Sequence, residues 1–172
     1  NSDPDECGNG YFGCSYYHCC TESVSVYGSF DISLQYTSLN NGGTLDIKGY
    51  SSSALNSPVY VYLYGSGQDD SNEYAYEYLT QMNDRGFCAV VIEYYSSSLF
   101  SYVYGNFDKK AQDIFAPSGG ALTVLCNAYT TCDCFNVVVH GFSQGAHIAS
   151  LAYNYNPNIK AALLFSNGFK AG

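Results

Sequence analysis

The residues best suited to chemistry lie together late in the chain, in Gly141-Phe142-Ser143-Gln144-Gly145. In a chain with 17 glycines a G-x-S-x-G pattern has little weight alone. It gains weight where a strand runs into it and a helix runs out of it. Phe135-Asn136-Val137-Val138-Val139 reads as a buried strand, and Gly145 to Tyr153 reads as a helix stopped before Pro157. A sharp strand-to-helix turn forces its serine into a strained backbone conformation. A side chain at position 141 or 145 then collides with neighbouring backbone, which accounts for glycine at both. Such a turn lifts the Ser143 hydroxyl above the carboxyl ends of the strands, where ligands bind in open α/β sheets. The chemistry this allows is nucleophilic attack by Ser143 on an acyl carbon.

The elements that must hold this turn follow from hydrophobic periodicity. Val24-Ser25-Val26-Tyr27 and Asp31-Ile32-Ser33-Leu34-Gln35-Tyr36 alternate apolar and polar residues, and so does Thr44-Leu45-Asp46-Ile47-Lys48 after the turn Asn40-Asn41-Gly42-Gly43. That alternation predicts half-buried antiparallel strands at one edge of a sheet. Val59 to Tyr64 and Phe87 to Ile92 are near-continuous β-prone runs, as is Ala161 to Phe165. Runs of this kind predict parallel strands buried on both faces. Asp70 and Glu73 form a capping box for a helix carrying Ala75, Tyr78, Leu79 and Met82 on one face and ended by Gly86. Leu99 to Phe107 reads as a Tyr- and Ser-rich loop. Asp108 to Ala116 and Gly119 to Asn127 read as helices broken by Pro117-Ser118. The expected fold class is α/β, a mostly parallel sheet with helices on both faces.

Composition narrows the partners. The 172 residues carry a net charge of −9 with six basic residues, and 47% are hydrophobic. Apart from Lys109-Lys110 the cations are scattered, so they cannot neutralise a row of phosphates. Nucleic acid and anionic membrane surfaces are both disfavoured as partners. No 18-residue apolar run is present, so no transmembrane segment is expected. Eight cysteines imply disulfides and an oxidising, extracellular compartment, with 105 pairings open. Four of them (Cys7, Cys14, Cys19 and Cys20) fall in the first twenty residues. The rival reading of Cys14, His18, Cys19 and Cys20 as a metal site lacks the usual Cys-x-x-Cys pairs, so no metal and no cofactor are expected. The polar, acidic start Asn1-Ser2-Asp3-Pro4-Asp5 lacks the basic start and apolar run of a signal peptide, so in a secreted protein it is expected to be a mature N-terminus. Residues 1–22 are expected to form a cysteine-rich extension and residues 23–172 the α/β domain.

The stretch Val137-Val138-Val139-His140-Gly141-Phe142-Ser143-Gln144-Gly145-Ala146-His147-Ile148-Ala149 resembles the nucleophile elbow of α/β-hydrolases. Its Gly-Phe-Ser-Gln-Gly form is similar to carboxylesterases and acyl-protein thioesterases. The cysteines just upstream of the strand are similar to the cutinase arrangement. The order of elements from about Val24 to Phe165 is similar to the first six strands of that family's sheet. This resemblance implies a serine esterase that uses Ser143. The backbone N–H of Gln144 is its first oxyanion donor, and the N–H of Ser66, in Tyr64-Gly65-Ser66-Gly67-Gln68, is the second, with Gly67 next and a plain glycine turn joining strand to helix as the alternative.

The family's triad continues with an acid and a histidine after the serine. The 29 residues after Ser143 contain no Asp or Glu, and their one histidine, His147, sits in the helix that the turn begins. His140 precedes the turn as a packed or capping side chain, and His18 belongs to the cysteine-rich head. The expectation is therefore an N-terminal part of a hydrolase. The base, the acid and a cover for the strand at 161–165 come from a C-terminal segment, a second chain or self-association. The substrate is then a small ester or a lipid or polymer ester. The alternative is a non-catalytic extracellular structural or assembly subunit on the same scaffold. Nineteen tyrosines suit such a subunit, with Tyr74, Tyr76, Tyr78, Tyr94 and Tyr95 as contact candidates. A weaker third reading is a carbohydrate- or lipid-binding module.

Overall fold

The computed structural model describes residues 29–66, 68, 73–95 and 106–166. The strand expected at Val24–Tyr27, the Asp70 half of the capping box, most of the loop expected at 99–107 and the four N-terminal cysteines lie outside these residues.

Within them, six strands form one sheet: β1 (Ile32–Thr37), β2 (Thr44–Tyr50), β3 (Ser57–Leu63), β4 (Cys88–Ile92), β5 (Cys132–Phe142) and β6 (Ile159–Phe165). Four helices connect them: α1 (Glu73–Asn83), α2 (Phe107–Phe115), α3 (Ala121–Ala128) and α4 (Gln144–Tyr155). The spatial order is β1-β2-β4-β3-β5-β6. β1 and β2 are antiparallel to each other, and β2 is antiparallel to β4, which places the alternating strands at one edge. β4, β3, β5 and β6 run parallel. The crossover between β3 and β4 is α1, and the one between β5 and β6 is α4, as parallel neighbours require.

Burial follows the residue pattern. The runs in β3 and β4 supply Val59, Val61, Leu63, Val90, Val91 and Ile92, all fully buried. Gly49 of β2 lies so close to β4 that a Cβ there would stand 2.1 Å from the Ala89 carbonyl oxygen, so no side chain fits. Tyrosine takes the place that tryptophan leaves empty: Tyr36, Tyr60, Tyr62, Tyr64 and Tyr94 are all core residues. Two of their hydroxyls bond to the backbone, Tyr36 donating to the Glu93 carbonyl at 2.7 Å and Tyr94 to the Tyr64 carbonyl. A buried carboxylate, Asp113 of α2, fastens the β1–β2 turn. It accepts from Ser38 Oγ at 2.7 Å, Asn40 N at 3.1 Å and Asn40 Nδ2 at 2.7 Å.

Two disulfides resolve part of the pairing. Cys88–Cys132 ties the first residues of β4 and β5 across β3, and Cys126–Cys134 ties α3 to β5. Both lie toward the amino end of β5, away from Ser143. β6 differs from its expected burial on both faces. Only Ile159 is buried, and Leu163, Leu164 and Phe165 are 45%, 40% and 55% exposed. The cause is topological: β6 pairs with β5 on one side and, among the described residues, with no strand on the other.

Candidate active site

β5 runs to Phe142 and α4 begins at Gln144, leaving Ser143 alone to turn the chain. It does so at φ 51°, ψ −114°, in the positive-φ region that non-glycine residues avoid. Strain of this kind costs about 1–3 kcal/mol and persists only where the surroundings enforce it. Four contacts enforce it here. A Cβ on Gly145 would meet the Leu63 carbonyl oxygen at 2.1 Å, and one on Gly141 would meet the Gly145 oxygen at 2.3 Å. The Ser143 N–H donates to the Phe165 carbonyl at 2.9 Å, so the last residue of β6 anchors the turn. From the other side Gly65 closes in, with space for a Cβ only 3.2 Å from the Ser143 Cβ and 3.1 Å from the Phe142 ring.

The structure therefore brings Ser143, Gln144 and the Gly65–Ser66 turn together at the carboxyl ends of β3 and β5. The Gln144 amide belongs to the first residue of α4, where no intrahelical carbonyl is available to it. Ser66 is exposed. Its turn is shaped by the Gln68 side chain, which accepts from the Gly65 N–H at 2.9 Å, while the Gln68 N–H donates to the Gly65 carbonyl at 3.3 Å. The Gln144 side-chain oxygen is buried and has no hydrogen-bond partner among the described residues.

The two histidines beside the serine are engaged elsewhere. Gly141 faces α4, so His140 faces the opposite side of the sheet. There its Nδ1 lies 2.5 Å from the Tyr60 hydroxyl. Tyr62, Tyr78 and Phe165 surround the ring at centroid distances of 5.1, 4.8 and 5.0 Å. Burial pushes the His140 pKa down, which keeps the ring neutral. His147, one turn into α4, stacks on Phe107 at 5.0 Å and 15°. Neither is arranged as a base for the Ser143 hydroxyl, and His18 lies outside the described residues. Among those residues no cluster of His, Cys, Asp or Glu could hold a metal ion, and no helix is long and apolar enough to cross a membrane.

Two participants carry no sequence signal of their own. Phe165 anchors the elbow through its carbonyl, a group every residue has. Gly65 gives only the signal of a glycine in a turn, and its closeness to Ser143 depends on the β3–β5 register.

No family model matches the sequence, and no curated protein sequence matches it. Solved structures do. The chain is similar to DcsB, solved in complex with its substrate analogue, at 13% identity over 77% of this chain and 43% of that one, TM-score 0.61. It is similar to the alpha/beta hydrolase GrgF from Penicillium at 13% identity, over 76% of this chain and 44% of that one, TM-score 0.58. A thermophilic esterase from the planctomycete Thermogutta terrifontis, with butyrate bound, matches at 17% identity over 85% of this chain and 59% of its own, TM-score 0.57. The chain thus spans 43% to 59% of the length of these three neighbours.

Proposed function

We propose that this chain, which has the α/β-hydrolase fold, is the nucleophile-bearing part of a secreted serine hydrolase that cleaves carboxylic esters through Ser143. One observation carries the reading: a serine held at φ 51° at the start of a helix, with glycines on both sides that admit no side chain. A strained residue enforced from several directions points to a functional constraint, because relaxed alternatives for a strand-to-helix connection are plentiful. The esterase among the structural neighbours supports the reaction class by analogy of fold.

In the proposed reaction Ser143 Oγ bonds to the ester carbonyl carbon and its proton passes to a general base. The carbonyl oxygen becomes an oxyanion facing the N–H groups of Gln144 and Ser66. Collapse breaks the ester C–O bond, and the alcohol leaves with that proton. Water then repeats the sequence on the acyl-serine and releases the acid. Each amide is worth about 3–4 kcal/mol of barrier lowering. With His140 and His147 engaged, the base and its orienting acid come from polypeptide outside the described residues, as further chain or a second chain. The open flank of β6 is where that polypeptide packs. Without a base, an oxyanion site alone supports about 10³–10⁴-fold acceleration over water. Secretion is supported by the two disulfides, and the division into a cysteine-rich extension at 1–22 and a hydrolase-like domain at 23–172 belongs to the same proposal. The substrate is a small ester or a lipid or polymer ester.

The test is covalent labelling. A fluorophosphonate probe modifies Ser143 in the native protein and leaves Ser143→Ala unmodified. Native protein that takes no label, with its intact mass known, overturns the reading. The second reading, a non-catalytic extracellular assembly subunit, draws on the exposed Leu163, Leu164, Phe165 and Phe135. Of the tyrosines that suited it, Tyr94 is buried, while Tyr74 and Tyr95 are exposed. Regular assemblies that bury β6 and take no probe would favour it.

A further inference from the structure

On the hydrolase reading above, we propose that Lys110 determines specificity by binding an anionic group of the substrate, a carboxylate on the acyl chain of the ester cleaved at Ser143.

Lys110 lies in α2, half-buried, with its Nζ 5.5 Å from the Tyr94 ring centre and 5.9 Å from that of Phe107. Both rings lead to the elbow. Tyr94 stacks on Tyr64 at 5.0 Å, and Tyr64 precedes Gly65, whose Cβ position is 3.2 Å from the Ser143 Cβ. Phe107 stacks on His147 at 5.0 Å, and the His147 N–H reaches the Ser143 carbonyl at 3.4 Å. The ammonium therefore stands over two rings, each of which stacks on a residue that adjoins the turn at Ser143 in sequence or space.

Arg85, Lys109 and Lys160 also have no ion pair among the described residues but are exposed, whereas Lys110 is half-buried without one. Among the described residues the one ion pair is Lys48–Asp46 at 3.4 Å, so no carboxylate lies within 4 Å of Lys110. The acids on its own helix are committed elsewhere. Asp108 hydrogen-bonds Tyr155 and holds that phenol up at about 12, and Asp113 is bound by Ser38 and Asn40. Glu93, at the end of β4, accepts the Asp46 N–H at 3.0 Å. Burial pushes the Lys110 pKa down, the mark of a cation short of solvent and partner. Aromatic faces hold an ammonium in place without neutralising it. An incoming carboxylate supplies the missing charge in a low-dielectric setting, where a charge-assisted hydrogen bond is strongest. The net charge of −9 keeps anions away from most of the surface, which makes one local cation selective.

A lysine whose stem merely shields the Tyr94 ring is the bland account. Methionine shields equally well, so Lys110→Met separates the two. The measurement is kcat/KM of the full chain for the p-nitrophenyl monoester of glutaric acid against its methyl-capped, uncharged counterpart. The wild type favours the charged ester about tenfold or more, Lys110→Met loses that preference, and Lys110→Arg keeps most of it. A ratio within twofold of wild type in Lys110→Met overturns the proposal. Glutarate binding followed by NMR keeps the two readings apart, because it needs no turnover. If neither ester is cleaved but glutarate binds the wild type and not Lys110→Met, the esterase reading falls and the anion site stands. Glutarate that binds both proteins equally, or neither, overturns the site.

Discussion

At Ser143 two demands conflict. The backbone occupies φ 51°, a conformation that glycine adopts without penalty and serine does not. A structural role alone would favour glycine at this position. Ser143→Gly should therefore raise stability by about 1 kcal/mol, the strain relieved less the added freedom of the unfolded chain. Chemical denaturation measures this, and a loss of stability would mean that the serine side chain holds the turn together. His140 makes a second prediction at this scale. Its ordinary pKa is 6.5, and burial among Tyr60, Tyr62, Tyr78 and Phe165 lowers it in the folded state. Below pH 6.5 the unfolded chain then binds a proton that the folded chain refuses, so stability is fully present above that pH and declines as pH falls. The melting temperature of the wild type should drop between pH 7.5 and 5.5 by more than that of His140→Gln, and equal slopes would sink the argument.

Among elements, the disulfides and the strands divide the work. Cys88–Cys132 closes a separation of 44 residues and clamps the two strands that flank β3. Loop-closure entropy for that span is worth about 4 kcal/mol, within the roughly 2–5 kcal/mol that removal of a native disulfide typically costs. Cys126–Cys134 spans 8 residues, for which the same expression gives about 2.5 kcal/mol. Replacing Cys88 and Cys132 together by alanine should lower stability by about 2–4 kcal/mol, more than removing the shorter bridge. The reverse order in denaturant melts would show that the native clamp is strained. Ser143 follows the opposite end of β5, so activity per folded molecule should survive both changes.

Among the described residues the sheet is asymmetric. One edge of the sheet is finished by β1 and β2, with Asp113 fastening their turn, while the other presents β6 with a row of exposed apolar side chains. An open apolar edge is prone to association. Leu163→Lys should weaken self-association of these 172 residues in sedimentation velocity, without loss of secondary structure. An unchanged distribution would show that the flank of β6 drives no contact. The same edge carries the Phe165 carbonyl that anchors Ser143, so whatever packs there also steadies that turn.

The elbow and the strand–helix alternation were legible along the chain because both depend on neighbours close in sequence. Two glycines within two residues of Ser143, a β-branched run before it and a helical period after it suffice for that turn. The antiparallel edge was legible for the same reason: period-two alternation marks strands with one face covered. Long-range placement was not legible. Nineteen tyrosines suggested a sticky surface, yet five of them fill the core, because strand register decides which ring points inward. Which cysteines meet depends on α3 and on two strands adjoining β3. The burial of β6 depends on what lies beside it rather than on its own run of apolar residues. Lys110 gave no sign beyond its pairing with Lys109, and only packing set it over Tyr94 and Phe107. Local pattern determines turns and periods through short-range sterics and burial. The meeting of residues far apart in sequence belongs to the tertiary structure, since it is fixed by how whole elements pack.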